Sequence, residues 1–106
     1  MEDRTEKIKQ LLIDAGVRLH LIGFNYWITA VNIGLEWQDN KPIKMENIYS
    51  QVARIHNTTR SRVERNMRNA KETSKLGEYF AIKYPTTTKV ILFLLMEELR
   101  KKGGEH

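Results

Sequence analysis

Residues 45–75 read MENIYSQVARIHNTTRSRVERNMRNAKETSK, and this stretch decides the fold. Apolar side chains recur at steps of three and four before and after the polar triplet 57–59, which predicts two amphipathic helices with a break between them. Ala53, Asn57 and Val63 have the spacing of a helix-turn-helix. A small residue lets the helices approach, a residue that tolerates positive φ makes the turn, and a β-branched residue fixes the second helix.

The second helix of this unit is expected over about 59–75, and two starts fit the sequence. A hydroxyl at Thr58 or Thr59 can accept a hydrogen bond from the free amides of the first turn. Ser61 and Glu64 instead fit the Ser-x-x-Glu spacing of a capping box, which would begin the helix two residues later. The sequence leaves both starts open.

Elsewhere too, apolar residues recur at three and four, and no segment has a convincing strand pattern. We therefore expect one all-α domain over 1–106, with about six helices around a central helix-turn-helix. Gly16 suits a helix end with left-handed geometry, and the turn formers of 38–42 suit a surface connection. The other expected segments are helices at about 8–15, 20–36 and 45–55, a short stretch of uncertain structure at 77–81, and a last helix that follows Pro85 and the threonines 86–88 and reaches about Arg100.

The helix expected at 20–36 is rich in aromatic residues, which at helical spacing belong to a core more often than they stack on bases. The core prediction therefore covers Phe24, Tyr26, Trp27 and Trp37. Its expected core stripe consists of Ile22, Tyr26, Ala30, Ile33 and Trp37. Later in the chain, Val90 to Leu95 is apolar around most of a helix, so this segment is either deeply buried, which we prefer, or part of a homodimer surface.

The basic charge is concentrated in one place. The chain has a net charge of +5 and a pI near 9.6. Residues 54–75 hold seven basic and two acidic side chains, whereas the rest of the chain holds eleven of each. The surplus therefore belongs to the helix-turn-helix unit and favours an anionic partner.

Helix geometry separates an apolar side from a charged side in this unit. Arg reads guanine as a bidentate fork, Glu accepts from cytosine N4, and Asn pairs with adenine. The predicted base-reading residues are Glu64, Arg65, Arg68 and Asn69. The bases suited to phosphate contacts, which position a protein without specifying a sequence, are Arg54, Arg60, Arg62, Lys71 and Lys75.

The stretch NTTRSRVERNMRNA, residues 57–70, resembles the recognition-helix signature of a known family. This is the C-terminal DNA-binding effector domain of the master sporulation response regulator of endospore-forming bacteria. Three further segments agree with the family in the same order. They are Ile13 to Val17 with His20 and Gly23-Phe24, Asn47 to Tyr49 with Val52-Ala53, and Tyr84 to Thr86.

The resemblance implies a six-helix transcription-regulatory domain that binds duplex DNA at short G- and C-containing boxes. It implies base contacts by Glu64, Arg65 and Arg68. The preceding hydroxyl positions would help to hold phosphate, and they correspond here to Thr58, Thr59 and Ser61. Asn69 stands where the family often has His, so the base preference at that edge is expected to differ.

The resemblance also bears on partners. It implies tandem copies on adjacent boxes or a homodimer, with RNA polymerase as a further candidate partner and a location in the cytoplasm at the nucleoid. The segment at about 74–84 looks shorter than is usual in the family, which bears on how neighbouring copies pair. The family's phosphoacceptor receiver domain is absent from this sequence, which leaves two interpretations: an excised effector half, or a regulator that works without it.

Other functions have weaker support. The sequence has no Cys, which excludes thiolate chemistry, and His20, His56 and His106 are too scattered for a metal site. His56, beside the turn, is a candidate for a phosphate contact, but a partly buried or capping role is the preferred expectation. No nucleophile, phosphate loop or carboxylate pair supports an enzyme, and no cofactor is expected. The longest apolar run is too short for a membrane span. The remaining alternative is a helix-turn-helix derivative that binds another regulator rather than DNA.

Overall fold

A computed structural model of the protein describes residues 2–37, 41–83 and 86–103, and over these residues it contains helices and no strand. This confirms the all-α prediction. The turn expected at 38–42 lies largely outside the described residues, and so does the Pro85 start signal. The helices are α1 (Glu2–Asp14), α2 (Ile22–Leu35), α3 (Met45–Ile55), α4 (Arg60–Glu72), α5 (Leu76–Tyr79) and α6 (Thr88–Gly103).

Helix α2 is the centre of the domain, because it contacts α1, α3, α4 and α6. The predicted core stripe of α2 was partly wrong. Ile22 is 46% exposed, and Ile33 and Trp37 are only partly buried. Helix α2 has apolar residues on most of its sides, so the spacing of its apolar residues does not identify one buried side. Its contacts with four neighbouring helices determine which residues are buried. The buried residues of α2 are Gly23, Phe24, Tyr26, Trp27, Ala30, Val31 and Gly34.

Two contacts hold α2 against α4. The Trp27 side chain is fully buried, and its Nε1 donates a hydrogen bond to the Met67 carbonyl oxygen at 3.0 Å. Gly23 lies directly against the α4 backbone: a Cβ placed on Gly23 would collide with the Asn66 carbonyl oxygen and lie 2.9 Å from the Ala70 Cβ. The position of α4 in the domain therefore depends on a glycine and on an indole hydrogen bond.

The turn between α3 and α4 has the geometry that its sequence predicts. Asn57 has φ of 55°, in the left-handed region that Asn tolerates better than most residues. The Thr58 amide donates to the Ala53 carbonyl at 2.9 Å, and the Asn57 amide donates to the Arg54 carbonyl at 3.3 Å. These two bonds form a Schellman motif, which ends α3 and turns the chain into α4. The predicted helix-turn-helix is present.

Helix α1 ends in the same manner. Gly16 has φ of 79°, and the Val17 amide donates to the Leu12 carbonyl at 2.9 Å. The predicted helix end at Gly16 is therefore confirmed. The Ala15 carbonyl then accepts from the Lys75 amide at 2.9 Å, which joins the end of α1 to the segment that follows α4.

Candidate nucleic-acid interface

Helix α4 has one buried side and one exposed side. Val63, Met67 and Ala70 are completely buried against the core. The exposed residues carry polar or charged side chains throughout. They are Arg60, Ser61, Arg62, Glu64, Arg65, Arg68, Asn69 and Glu72. The four predicted base-reading residues therefore lie together on the outside of one helix.

The structure shows which of the two predicted starts of α4 is correct. Thr59 is the N-cap, and its Oγ1 accepts a hydrogen bond from the Arg62 amide at 3.2 Å. The helix begins at Arg60, so Ser61 lies within the first turn and the alternative capping box at Ser61 and Glu64 was wrong. A capping hydroxyl at Thr59 satisfies one of the amides that a helix start leaves free.

Loss of the Thr59 hydroxyl should destabilise the domain. We expect Thr59→Ala to lower the free energy of unfolding by about 1 kcal/mol, because the Arg62 amide loses its acceptor. Urea denaturation followed by circular dichroism measures this change. Ser61→Ala is the matched control, since it removes an exposed hydroxyl inside the helix and should leave stability nearly unchanged. The reverse order of effects would support the capping box.

The end of α4 corrects the predicted helix of 59–75. The helix ends at Glu72, three residues earlier than expected. Thr73 is the C-cap, and its Oγ1 donates to the Asn69 carbonyl at 3.0 Å, while the Ser74 Oγ donates to the Lys71 carbonyl at 2.6 Å. The Asn69 carbonyl keeps its helical bond from the Thr73 amide at 3.1 Å. The Lys75 amide, which a longer helix would direct to the Lys71 carbonyl, donates instead to the Ala15 carbonyl at 2.9 Å, so the helix does not continue. Lys75 is exposed but lies beyond the helix.

Two of the predicted base-reading residues form an ion pair. The Arg68 guanidinium lies 3.9 Å from the Glu64 carboxylate, with both side chains about half exposed. An exposed pair at this spacing contributes only a few tenths of a kcal/mol, so a ligand can separate it at small cost. Arg65 and Asn69 are exposed on the same helix. The pair keeps Arg68 near the helix surface without burying it.

The predicted phosphate-contacting residues have two kinds of position. Arg54 is exposed in the last turn of α3, close in sequence to the turn that contains the half-buried Thr58. Lys71 is different, because it is half-buried and its Nζ donates to the Thr86 carbonyl at 2.8 Å. One of its three N–H groups is thus used inside the protein. Its contact with phosphate stays a prediction.

A cleft of about 450 Å³ lies beside the exposed side of α4, between α3 and the start of α6. Tyr49, Glu64, Arg68 and Lys71 line it, together with the segment Thr86–Lys89. Burial raises the pKa of the Tyr49 hydroxyl, an effect that a hydrogen bond with Thr88 partly offsets. The hydroxyl stays protonated at neutral pH and can donate. The sequence pattern gave no sign of this cleft, because its parts are far apart in the chain.

The other residues considered from the sequence lie partly in the core and partly at the surface. In the apolar run Val90 to Leu95, the side chains of Ile91, Leu92 and Leu95 are buried, whereas Val90 and Phe93 are exposed, so the preferred deep burial of this run was only partly right.

His56 is partly buried: its Nε2 lies 2.8 Å from the Thr29 Oγ1, and its ring meets the Tyr26 ring edge to face at 5.0 Å. Phe24, Tyr26 and Trp27 are buried, which confirms their core assignment. Within the described residues, no group of three or more potential ligands could hold a metal ion. No described helix is long and apolar enough to cross a membrane.

These features define a class: a small all-α domain whose helix-turn-helix displays a polar, basic outer side on its second helix. The family described as "Sporulation initiation factor Spo0A C terminal" matches residues 8–90, which is most of the chain. The chain belongs to this family, and the resemblance seen in residues 57–70 is confirmed. The family is a DNA-binding domain of a sporulation regulator, so its general function is DNA-binding transcription regulation. No curated protein and no solved structure matched the chain.

Proposed function

We propose that this protein binds duplex DNA sequence-specifically as a bacterial transcription regulator, with α4 in the major groove. The observation that carries the proposal is the division of α4 into a buried apolar side and an outer side without apolar side chains. An α-helix fits the B-DNA major groove, where the base edges present a distinct pattern for each base pair. Recognition helices of this motif read bases mainly with their N-terminal half.

Four side chains are proposed to read bases. Arg65 and Arg68 each offer a guanidinium fork to guanine O6 and N7, and Glu64 can accept from cytosine N4. Asn69 can pair with adenine or stay at the edge of the contact. Glu64 and Arg68 form a weak ion pair in the free protein. On a G·C step the two side chains would separate, and this one contact would be replaced by two charged contacts, from Arg68 to guanine and from Glu64 to cytosine.

Phosphate contacts are proposed around the start of α4. Arg54 precedes the turn, while Arg60 and Arg62 lie in the first turn of α4. The Thr58, Thr59 and Ser61 hydroxyls and Lys75 complete the proposed set, with Lys71 able to join through its free N–H groups. Such contacts fix the register of a protein on the duplex and supply most of the sequence-independent affinity.

The proposal extends to partners and location. The protein would act in the cytoplasm at the nucleoid, with copies on adjacent boxes and with RNA polymerase as a further partner. It would need no cofactor and no enzymatic activity.

Selection from a random pool of duplex DNA tests the proposal. The wild-type chain should enrich one short G- and C-containing box. The matched control is the double variant Arg65→Ala with Arg68→Ala, which keeps the buried side of α4 intact and should enrich no box. Failure of the folded wild-type protein to enrich any box would refute sequence-specific binding and favour the alternative, a module that binds another regulator. That alternative predicts apolar anchors on the outside of α4, where charges stand.

Salt should weaken the complex steeply. With on the order of four to six phosphates neutralised, the logarithm of the association constant should fall with the logarithm of salt concentration at a slope of about −4 to −5. Fluorescence anisotropy with a labelled duplex at several salt concentrations measures this slope. Arg62→Ala should make the slope shallower by about one unit, if Arg62 contacts a phosphate. An affinity that does not change with salt would contradict the phosphate contacts.

A further inference from the structure

A recess of about 360 Å³ lies between the C-terminal end of α2 and α6. Residues of both helices and of the connection between α2 and α3 line it. Its volume is at the lower end of the range of small-molecule sites, which is about 300 to 1,000 Å³. Phe93 and Arg100, two of the lining residues, are exposed, so a small solute can reach the recess from solvent.

The apolar part of the recess is suited to a planar ring. It consists of the side chains of Trp37, Ile43, Phe93 and Met96. Met96 is buried and Trp37 and Ile43 are partly buried, whereas Phe93 is 41% exposed. Two aromatic rings and a thioether make favourable contacts with an aromatic group, and a ring held there covers the exposed side of Phe93.

The indole of Trp37 differs from the other indole of the chain. The Trp27 Nε1 donates to the Met67 carbonyl at 3.0 Å. The Trp37 Nε1 is also buried, but it has no hydrogen-bond partner among the described residues. Buried donors are almost always paired, because water no longer supplies the bond that the donor loses on burial. The lining of the recess thus includes a polar group that calls for an acceptor.

The charges of the recess favour a ligand with one negative charge. Lys41, Glu97 and Arg100 are its charged lining residues, so one positive charge is in excess. The ion pairs of the described residues involve the bases Arg4, Lys9 and Arg68, and neither Lys41 nor Arg100 is engaged in one. A carboxylate has the charge and the two oxygens that a guanidinium binds well, whereas a phosphate monoester has nearly two charges at neutral pH.

We propose that this recess is a binding site for a small aromatic carboxylate. The ring of the ligand packs against Trp37, Phe93 and Met96, and its carboxylate pairs with Lys41 and Arg100. An oxygen of the ligand accepts the hydrogen bond that the Trp37 indole lacks. Aromatic, charged and hydrogen-bonding groups thus act on one ligand, as is usual in small-molecule sites.

The site goes beyond the proposed function in DNA binding. Its described lining residues belong to α2, α6 and the connection after α2, not to α4. Phe93, Met96 and Arg100 also lie beyond the residues 8–90 that match the family, so membership of the family does not predict the site. A ligand of about ten non-hydrogen atoms should bind with a dissociation constant of about 0.1 to 1 mM, since so few atoms provide limited contact.

Nuclear magnetic resonance of the full chain tests the site directly. The chain has two tryptophans, so its ¹H–¹⁵N spectrum has two indole resonances, and Trp37→Phe identifies the one that belongs to Trp37. The probes are benzoate, phenylacetate and indole-3-acetate. At least one of them should move the Trp37 resonance in a saturable manner. The Trp27 resonance should stay in place, because its indole is already hydrogen-bonded in the core.

Probes that lack one part of the ligand show which groups the site recognises. Acetate has the charge without the ring, and phenylacetamide has the ring without the charge. Each should bind at least about tenfold more weakly than phenylacetate or the best of the three acids, because it loses either the aromatic contacts or the ion pairs.

A matched pair of double variants separates the site from general attraction to a basic protein. Lys41→Gln with Arg100→Gln removes both cations of the recess and should raise the dissociation constant at least about tenfold. Lys7→Gln with Arg18→Gln removes the same charge from exposed positions outside the recess and should bind the acid like wild type. Circular dichroism should show that both variants are folded.

Three results would overturn the proposal. They are no saturable movement of the Trp37 resonance with any of the three acids up to about ten times the expected dissociation constant, equal binding of phenylacetamide and phenylacetate, and equal loss of affinity in the two double variants. The experiment contains no DNA, so failure at the recess leaves the DNA-binding proposal unaffected.

Discussion

Gly23→Ala should destabilise the domain by about 3 kcal/mol, at the upper end of the range for overpacked cores. The added methyl group would overlap the Asn66 carbonyl oxygen and lie 2.9 Å from the Ala70 Cβ. Both neighbours belong to α4, and one of them is backbone, so no side-chain rotation can relieve the contact. Helix α4 must move away from α2, which also strains the bond between Trp27 and the Met67 carbonyl. Urea denaturation measures the loss.

Gly77→Ala is the matched control for this substitution. A Cβ at Gly77 would meet no heavy atom within 4 Å. Gly77 lies in the short helix α5, where alanine is favoured over glycine, so its stability should be equal to wild type or slightly higher. If Gly23→Ala were as stable as Gly77→Ala, the close packing of α2 on α4 would be wrong. DNA affinity should fall in the Gly23 variant even under conditions where it is folded, because α4 is displaced.

Arg65→Ala should reduce affinity for the cognate box by about 1 to 3 kcal/mol, which is roughly five-fold to 150-fold in the dissociation constant. The loss should be largest on the cognate box and small on unrelated duplexes, so that sequence preference relaxes. Arg65 is exposed, and truncating its side chain should leave the free energy of unfolding within about 0.5 kcal/mol of wild type. Anisotropy titrations with cognate and scrambled duplexes measure the loss of affinity on each of the two kinds of duplex.

Lys75→Ala provides the comparison for Arg65→Ala. Lys75 lies beyond the end of α4 and is proposed to contact phosphate, so its loss should weaken all duplexes to a similar extent. The two variants thus separate sequence reading from general attraction. Binding by Arg65→Ala that cannot be distinguished from wild type would mean that the outer side of α4 has been assigned wrongly.

Local signals predicted the helix-turn-helix accurately. The bounds of α3 agree with the expected 45–55, because a clear amphipathic period is followed by Asn57, which accepts positive φ. The separation of buried Val63 and Met67 from exposed Arg65 and Arg68 also follows from the period alone. In these segments the local pattern and the tertiary contacts favour the same structure.

Tertiary contacts decided the features that the sequence did not predict. The end of α4 depends on the Lys75 amide, which donates to the Ala15 carbonyl at the end of α1, while the Lys71 carbonyl accepts from the Ser74 Oγ. The buried side of α2 depends on which helices surround it. The cleft beside α4 depends on the hydrogen bond from Lys71 to the Thr86 carbonyl, two residues that are fifteen positions apart in the sequence. A periodic pattern of apolar residues does not predict such a contact. The roles of individual side chains toward DNA stay predictions.

The indole of Trp27 binds a main-chain oxygen of α4 rather than one of its side chains. Every residue has such an oxygen, so this attachment does not depend on the identity of the outward-facing residues. Related chains can therefore exchange their reading residues one at a time and still fold, and gene duplicates can diverge toward different boxes without a change of scaffold. For the same reason, the domain is a suitable starting point for engineering a new DNA preference.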